Sequence, residues 1–368
     1  MPARIEAVYL VRATAESIAA RARAIAVEQS VEMPLSAIED GRVLREVVGE
    51  VRDIADRGDG CFAVRIGLAA ETVEGDAGQL LNMAFGNSSL QDDVVLADLV
   101  LPEETAALFP GPRHGVAGLR ARAGAPRGRA LTCSALKPQG MTAPALAALA
   151  ARLARGGLDF IKDDHGLADQ RAAPYARRVA ACAAALRAVA AETGRVVAYV
   201  PSLSGDLDAM RRQVALARDE GIGTVMLAPM IAGVTSLRAL VAAFPDMAFF
   251  AHPALGGAAR IAPELLIGKL FPWFGADAVI FPTHGGRFGY SAETCRRLAA
   301  SARGIGAGAV PVPAGGISLA RTAELLDFYG PETMLLIGGS LLDAKAGLTA
   351  ETERFTRAVA AHAYRQEA

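Results

Sequence analysis

Apolar and polar residues follow two different patterns along the chain, and the change comes near residue 125. Before that point, strand-like and helix-like runs follow one another without a regular repeat. Such a mixture is typical of an α+β domain, and a connector rich in Gly, Pro and Arg at 121–130 marks its end. The runs are 5–13 (strand), 17–30 (helix), 61–69 (strand) and 78–86 (helix).

After the connector, apolar runs alternate regularly with helices. The runs are apolar throughout, as in a parallel sheet covered by helices, and eight units of about 25 residues match a TIM barrel. We predict a TIM (β/α)8 barrel over 123–368 after a ferredoxin-like α+β domain over 1–122. The last helix is predicted at 349–366, with the Thr349 hydroxyl as its N-cap. The predicted barrel strands are 131–136, 158–162, 196–200, 224–228, 247–251, 278–281, 309–313 and 334–338.

Composition excludes several classes of protein. The 368 residues carry 38 Lys and Arg against 39 Asp and Glu with no basic block, which argues against a nucleic-acid partner. Hydrophobic residues make up 52% of the chain, enough for a large core. No uncharged stretch reaches about 20 residues, so we expect no membrane span. The N-terminus lacks the apolar core of a signal peptide, and the cysteines form no CxxC pair, so we expect a cytoplasmic protein.

Lysine is scarce in this sequence. Of the 38 basic residues only four are lysines: Lys137, Lys162, Lys269 and Lys345. Arginine is always protonated, whereas lysine can act as a neutral amine. Each lysine therefore marks a candidate position where arginine would not serve.

Polar residues cluster where the predicted barrel strands end, which is where TIM barrels carry their active sites. Lys137, the sequence KDDH at 162–165 and His252 all fall there. Two carboxylates and an imidazole suit a divalent metal, and carboxylates select hard ions such as Mg²⁺. A protonated lysine repels a cation, but the carbamate that Lys162 would form with CO₂ binds one. The alternatives are a Lys–Asp ion pair at a loop entrance and a structural role for His252.

Glycine pairs follow the last two predicted strands, Gly315 with Gly316 and Gly338 with Gly339. In many barrels these loops bind a phosphate through backbone N–H groups, because glycine lets the backbone approach closely. Ordinary turn glycines are the alternative, but two pairs in the expected loops favour a phosphate. Arg287 follows strand six and is either a cation for an anionic group or a solvated loop residue.

Six segments resemble, in the same order, the large chain of ribulose-bisphosphate carboxylase (RuBisCO). The segments are AFGN (84–87), FPGPRHGV (109–116), ALKP (135–138), GGLDFIKDD (156–164), AGGI (314–317) and IGGSL (337–341). The resemblance implies a homodimer in which the N-terminal domain of one subunit, carrying Asn87, completes the barrel site of the other. It also implies Mg²⁺ as cofactor, with CO₂ bound as a carbamate on Lys162.

Several positions depart from the carboxylase pattern. His165 stands where carboxylases have a glutamate metal ligand, and Arg287 takes the place of the mobile-loop lysine. The Arg, His and Ser that hold a second phosphate align with Pro253, Ile280 and Ala314. Without a cation at this end, a phosphate dianion would be left unpaired. The chain therefore resembles a RuBisCO-like protein rather than a CO₂-fixing carboxylase.

What remains implies a phosphosugar with a single phosphate at the glycine pairs and an apolar tail near Pro253 and Ile280. A methylthio group fits that tail. The resemblance implies removal of a proton next to a carbonyl, with Mg²⁺ on Lys162, Asp164 and His165 stabilising the negative charge that develops on oxygen.

The leading hypothesis is an isomerase of 5-methylthioribulose 1-phosphate in methylthioadenosine salvage, acting by enediolate-forming proton transfer. Its catalytic residues would be Lys137, Lys162, His252 and Asn87, and the sequence does not choose between Lys137 and the Lys162 carbamate as base. The alternatives on the same scaffold are a 2,3-diketo-5-methylthiopentyl-1-phosphate enolase and a 3-oxo-sugar-acid-phosphate decarboxylase. A third hypothesis, motivated by His165, is a non-catalytic phosphosugar-binding protein.

Overall fold

A computed structural model describes residues 3–364, which divide into two compact units. The first unit runs to Pro110 and includes Leu255–Leu266. The second comprises Gly111–Ala254 and the chain from Ile267 onward. The boundary predicted between residues 122 and 123 falls inside a helix of the second unit, Gly115–Ala123. The compact units therefore do not coincide with the two predicted ranges.

The first unit is a four-stranded antiparallel sheet with two longer helices. Its sheet order is β2–β3–β1–β4, and the chain order is the βαββαβ arrangement of ferredoxin-like domains. Burial alternates strictly along β1, because successive side chains of a strand point to opposite faces. The elements are β1 Arg4–Arg12, α1 Ile18–Glu28, β2 Glu50–Asp56, β3 Cys61–Ala69, α2 Ala77–Phe85 and β4 Val94–Val100, with short helices at Glu103–Ala107 and Pro263–Leu265.

The second unit alternates strands and helices, as the sequence pattern predicts. Each of its eight strands overlaps a predicted one. The strands are β5 Leu131–Leu136, β6 Phe160–Asp163, β7 Ala198–Val200, β8 Thr224–Leu227, β9 Ala248–Ala251, β10 Ala278–Pro282, β11 Val310–Ala314 and β12 Met334–Leu336. The longer helices are α3 Gly115–Ala123, α4 Ala143–Arg155, α5 Tyr175–Thr193, α6 Leu207–Asp219, α7 Val234–Ala243, α8 Ala292–Arg303, α9 Thr322–Tyr329 and α10 Leu348–Ala361, and short helices lie at Pro229–Ala232, Phe271–Trp273 and Gly339–Leu342.

These strands pair in two parallel four-stranded sheets, β12–β5–β6–β7 and β8–β9–β10–β11, rather than in the single closed ladder of a barrel. Proline explains one of the two gaps. The N–H of Val310 donates to Asp277 O on the β10 side, so Pro311 and Pro313 face β12, and neither has an N–H to donate. The Thr333 hydroxyl donates to Pro311 O in place of a ladder bond.

The other gap, between β7 and β8, is bridged just beyond the end of β7. Ser202 forms a parallel bridge with Met226, and the N–H of Met226 donates to Pro201 O at 2.9 Å. One buried apolar cluster takes residues from all eight strands. The strands thus share a common core, although the backbone ladder is interrupted.

The C-terminal helix begins differently from the prediction. Helix α10 starts at Leu348, its N-cap is Gly347, and the N-cap assignment of Thr349 is wrong. The Thr349 hydroxyl donates to Arg152 O instead, because α10 packs against α4 at this point. The predicted end at residue 366 lies outside the described residues. Within residues 3–364, no helix is both long and apolar enough to span a membrane.

Candidate active site

Lys162 lies in β6, a strand whose four residues are all buried. The residue is 2% exposed, and its Nζ donates to the backbone oxygen of Asp163 at 2.8 Å. Burial lowers the pKa of Lys162, because the charged ammonium loses its hydration. A neutral amine is the form that reacts with CO₂, so this environment suits the carbamate that the sequence predicts.

Asp164 follows β6 and contacts two other predicted site residues. Its Oδ1 lies 2.9 Å from Lys137 Nζ and 3.4 Å from His165 Nδ1. Burial by itself would raise the pKa of Asp164, but hydrogen bonds from His165 and Lys137, with the charges of Lys137 and Lys162, hold it well below the usual range. The structure therefore brings Lys137, Asp164 and His165 together around one ionised carboxylate.

Asp163, the other carboxylate of the KDDH sequence, belongs to a different network. It is fully buried and pairs with Arg178 on α5, whose Nε lies 3.0 Å from its Oδ2. The Tyr199 hydroxyl donates to Oδ1 at 2.6 Å and the Ser202 N–H to Oδ2 at 3.0 Å. Asp163 thus lies apart from Lys162, Asp164 and His165, the metal set that the resemblance implies, because successive residues of a strand point to opposite sides.

Sequence reasoning missed Arg178, although a signal was present. It lies on the buried face of α5 beside Tyr175, Val179 and Cys182, where an arginine needs a partner. Its Nη1 donates to the backbone oxygens of Ala168 at 2.9 Å and Ala173 at 2.7 Å. Arg178 thus joins β6 to the loop that follows Asp164.

His252 follows β9, and its ring stacks on that of His165 with centroids 4.2 Å apart and planes 9° apart. Burial, together with the charges of Lys162 and His165, lowers the pKa of His252 to about 2. The Nδ1 atom accepts a hydrogen bond from the Ala254 N–H at 3.1 Å. A neutral imidazole with an accepting Nδ1 carries its proton on Nε2. His252 is therefore a hydrogen-bond donor through Nε2.

The glycine pairs lie where the strands end, as predicted. Gly315 and Gly316 follow β11 with φ of 74° and 138°, and Gly338 and Gly339 follow β12. In the described part of the chain, the N–H groups of Gly315, Gly316 and Gly338 donate to no protein acceptor. Unpaired backbone donors grouped at strand ends are suited to an anion. Arg287 stacks over the Phe288 ring at 4.8 Å in the loop after β10.

Three other predicted site residues occupy varied positions. Ile280 is 2% exposed within β10 and belongs to the common core of the eight strands. Pro253 is partly exposed beside His252. In the first unit, the Asn87 amide donates through Nδ2 to Glu28 Oε1 and Glu32 Oε1, both at 2.9 Å. Asn87 is exposed, so its side-chain oxygen remains available to a ligand.

The residues around Lys162 fit the predicted metal on one condition. No group of three His, Cys, Asp or Glu side chains suited to a metal ion occurs among residues 3–364. Asp164 and His165 supply one oxygen and one nitrogen donor, and unmodified Lys162 is an amine. With a carbamate on Lys162, an oxygen anion completes a three-residue set. The residues fit a divalent ion on that condition.

Comparison with known proteins places the chain in a family. The profile described as "Ribulose bisphosphate carboxylase large chain, catalytic domain" matches residues 117–263. A 5-methylthioribulose-1-phosphate isomerase of Rhodospirillum rubrum is 57% identical over 99% of this chain and 98% of its own length. The chain belongs to the RuBisCO large-chain family, as one of its RuBisCO-like proteins.

Two further similarities refine this assignment. The crystal structure of a Rubisco-like protein from Rhodopseudomonas palustris covers 100% of both chains with a TM-score of 0.92 and 50% identity. A 2,3-diketo-5-methylthiopentyl-1-phosphate enolase of Microcystis aeruginosa is 30% identical over 86% of this chain and 83% of its own. The prediction of an enzyme is confirmed, and a RuBisCO-like function other than carboxylation is supported.

Proposed function

We propose that this RuBisCO-like chain is an isomerase of 5-methylthioribulose 1-phosphate, a ketose with one phosphate. The observation that carries the chemistry is the buried Lys162, whose charge interacts with those of Asp164 and Lys137 and acts on His252. The identity of 57% with a relative of that name favours the isomerase over the enolase, whose named relative is 30% identical.

The cofactor belongs to the proposal. Lys162 as a carbamate, Asp164 and His165 would hold Mg²⁺, which would supply a positive charge to polarise the substrate carbonyl. Lys137 competes for the same carboxylate, since its Nζ is 2.9 Å from Asp164 Oδ1. We therefore expect Lys137 to turn toward the substrate when Asp164 takes up its ligand role.

Three side chains would have different roles in the proton transfers. As an ammonium paired with Asp164, Lys137 would return a proton to the substrate, and Lys162 as a carbamate would act as the base. His252 is a neutral donor through Nε2, because Nδ1 is occupied by the Ala254 N–H. It would donate a hydrogen bond to the oxygen on which negative charge develops, as a fixed dipole that needs no ionisation.

The two ends of the substrate would rest on different groups. The free N–H groups of Gly315, Gly316 and Gly338 would bind the phosphate, with Arg287 adding a positive charge. The apolar methylthio end would lie toward Pro253. Ile280 lies within the core, where its side chain would limit how deeply the methylthio group enters.

The experiment is a reaction in D₂O with 5-methylthioribulose 1-phosphate, Mg²⁺ and bicarbonate, followed by phosphorus and proton NMR. We expect an isomeric phosphate ester that has taken up deuterium. Release of CO₂ from a branched acid phosphate, or turnover of the diketo phosphate alone, would favour the decarboxylase or the enolase. Phosphate-ester binding without any turnover would favour the non-catalytic protein.

The same proposal includes the assembly. We propose a closed barrel in a homodimer, with Asn87 of one subunit completing the site of the other. The Glu28 and Glu32 carboxylates hold the Asn87 amide in one orientation, as a preorganised site residue requires. Mixing the Asn87→Ala and Lys162→Met variants tests it: shared sites predict recovered activity in the mixed dimer, and separate sites predict none.

A further inference from the structure

Two loops meet beside the proposed phosphate site, and they touch backbone to backbone. The β10 loop (283–290) follows β10, and the β11 loop (315–321) follows β11. A Cβ atom on Gly286 would overlap the carbonyl oxygen of Gly315, and one on Gly316 would lie 2.7 Å from the Gly286 Cα. No side chain fits between the loops at this point. The β10–β11 ladder, which ends with the Thr283 N–H donating to Ala314 O, fixes the bases of the loops, and their mutual position beyond it must be held from outside the contact.

Arg321, the last residue of the β11 loop, bonds to both loops. Its Nη2 donates to His284 O in the β10 loop at 3.1 Å, and its Nη1 donates to Gly316 O in the β11 loop at 3.3 Å. The side chain is 23% exposed, so these bonds are only partly open to competition from water. The planar guanidinium presents its donors in a fixed fork, which holds the two carbonyl groups at a fixed position relative to each other.

Glu324 holds the guanidinium in its orientation. Its Oε2 accepts from Arg321 Nε at 3.1 Å and its Oε1 accepts from Nη2 at 2.9 Å. Such a bidentate pair adds geometric specificity to the interaction. Glu324 lies on α9, which begins immediately after the loop. Arg321 therefore hydrogen-bonds to a helix on one side and to the two loops on the other.

The loop contact extends to Arg287. A Cβ on Gly315 would lie 3.1 Å from the Phe288 ring, so that ring rests against the glycine. The Arg287 guanidinium lies over the same ring, 4.8 Å from its centroid. The position of Arg287 relative to the free N–H groups of Gly315 and Gly316 therefore depends on the register of the two loops.

We propose that Arg321 is a positioning residue that fixes this register, so that the glycine N–H groups and Arg287 converge on one phosphate. This inference rests on the proposed phosphate site. Four of the five N–H donors of Arg321 go to protein acceptors, so we assign it to the loops rather than to the substrate. Its effect on phosphate affinity would be exerted entirely through the loops.

The test compares Arg321→Met and Arg321→Lys with a control, Arg211→Met, whose arginine pairs with Asp208 within α6. Inorganic phosphate binding is measured by phosphorus NMR, and backbone hydrogen exchange is followed in both loops. We expect Arg321→Met to raise the phosphate Kd about tenfold, through lost positioning of charge-assisted bonds, and to speed exchange in the β10 loop as well as its own. Lysine, which lacks the fork, should recover at most part of the affinity.

Substrate kinetics sharpen the result. We expect Arg321→Met to raise KM far more than it lowers kcat, since the reacting end of the substrate is remote from the loops. Unchanged phosphate Kd in Arg321→Met, with wild-type binding intact, would overturn this inference alone. Absence of phosphate binding by the wild-type protein would instead overturn the proposed phosphate site, and with it the proposed function.

Discussion

The proposed site has two ends that are built in opposite ways. The lysine end, around Lys162 and Asp164, is made of charged side chains that are buried or half-buried and paired with one another. The glycine end, around Gly286, Gly315 and Gly316, is made of backbone. Its geometry is possible only because these residues have no side chain, since a Cβ atom would overlap its neighbours. Proton transfer needs side chains whose pKa values are shifted by their surroundings, whereas phosphate binding needs backbone N–H donors that can approach closely. The two ends should therefore fail through different kinds of substitution.

The largest expected effect is at the lysine end. Lys162→Met removes the amine that would form the carbamate while keeping an apolar side chain in a buried position. We expect turnover to fall by about 10³-fold or more, in the range that a positioned base contributes. The measurement is isomerisation of the phosphate ester, together with carbon NMR of the carbamate in ¹³C-bicarbonate.

Lys345→Met, at an exposed position, is the matched control for that variant. It should retain both turnover and the carbamate signal. Wild-type turnover in the Lys162→Met variant would contradict the catalytic role of Lys162. It would also contradict the proposal that the lysine end carries the chemistry.

The buried pair behind the lysine end sets the largest effect on stability. Arg178→Met leaves Asp163 charged or protonated without its partner in a site with no exposure to solvent. Breaking such a pair costs about 3–5 kcal/mol, so the free energy of unfolding should fall by that amount in urea titrations. Arg155→Met, in an exposed pair with Glu192, should cause no comparable loss. Equal losses in both variants would contradict the assignment.

At the glycine end, position matters more than charge. Gly316→Ala must adopt a φ of 138° and meet the Gly286 backbone, and we expect a loss of about 1–3 kcal/mol in stability. No atom lies within 4 Å of a Cβ built on Gly339, the first residue of the helix Gly339–Leu342, so Gly339→Ala should leave stability unchanged and affect only phosphate affinity. Urea titrations of the two variants check this, and equal destabilisation would show that the glycine end does not depend on close backbone contact.

The smallest expected effect is a pH dependence at the lysine end. The lowered pKa of Asp164 means that its interactions stabilise the folded state above the ordinary aspartate pKa of about 3.9, and that this stability is lost as the pH falls through the folded-state pKa. Lys137→Met removes one of those interactions. The stability difference from wild type should be present at neutral pH and vanish in acid.

Arg354→Met is the control for this titration, because its partner Glu351 lies in an exposed pair within α10. Acid unfolding of the three proteins, followed by circular dichroism, provides the measurement. A difference between wild type and Lys137→Met that persists unchanged at the lowest pH would contradict the ion pair with Asp164.

Sequence patterns predicted the second unit better than the first. All eight strands around the common core were predicted, because buried parallel strands are short, continuous apolar runs. Strands β2 and β4 were missed. β2 is an edge strand that carries Glu50, Arg52, Asp53 and Asp56, and its charges conceal the alternation.

The sequence by itself determined the family, the strand-end positions of Lys137, Lys162, His252 and the glycine pairs, and the class of chemistry they suit, since residue type and order carry that information. Only the tertiary structure decided that Asp164 faces Lys137 whereas Asp163 faces Arg178, and that Arg321 joins two loops. Apart from Gly316, which lies in the same loop as Arg321, these partners are distant along the chain. Their pairing depends on the direction of each side chain and on burial, which exist only once the chain has folded.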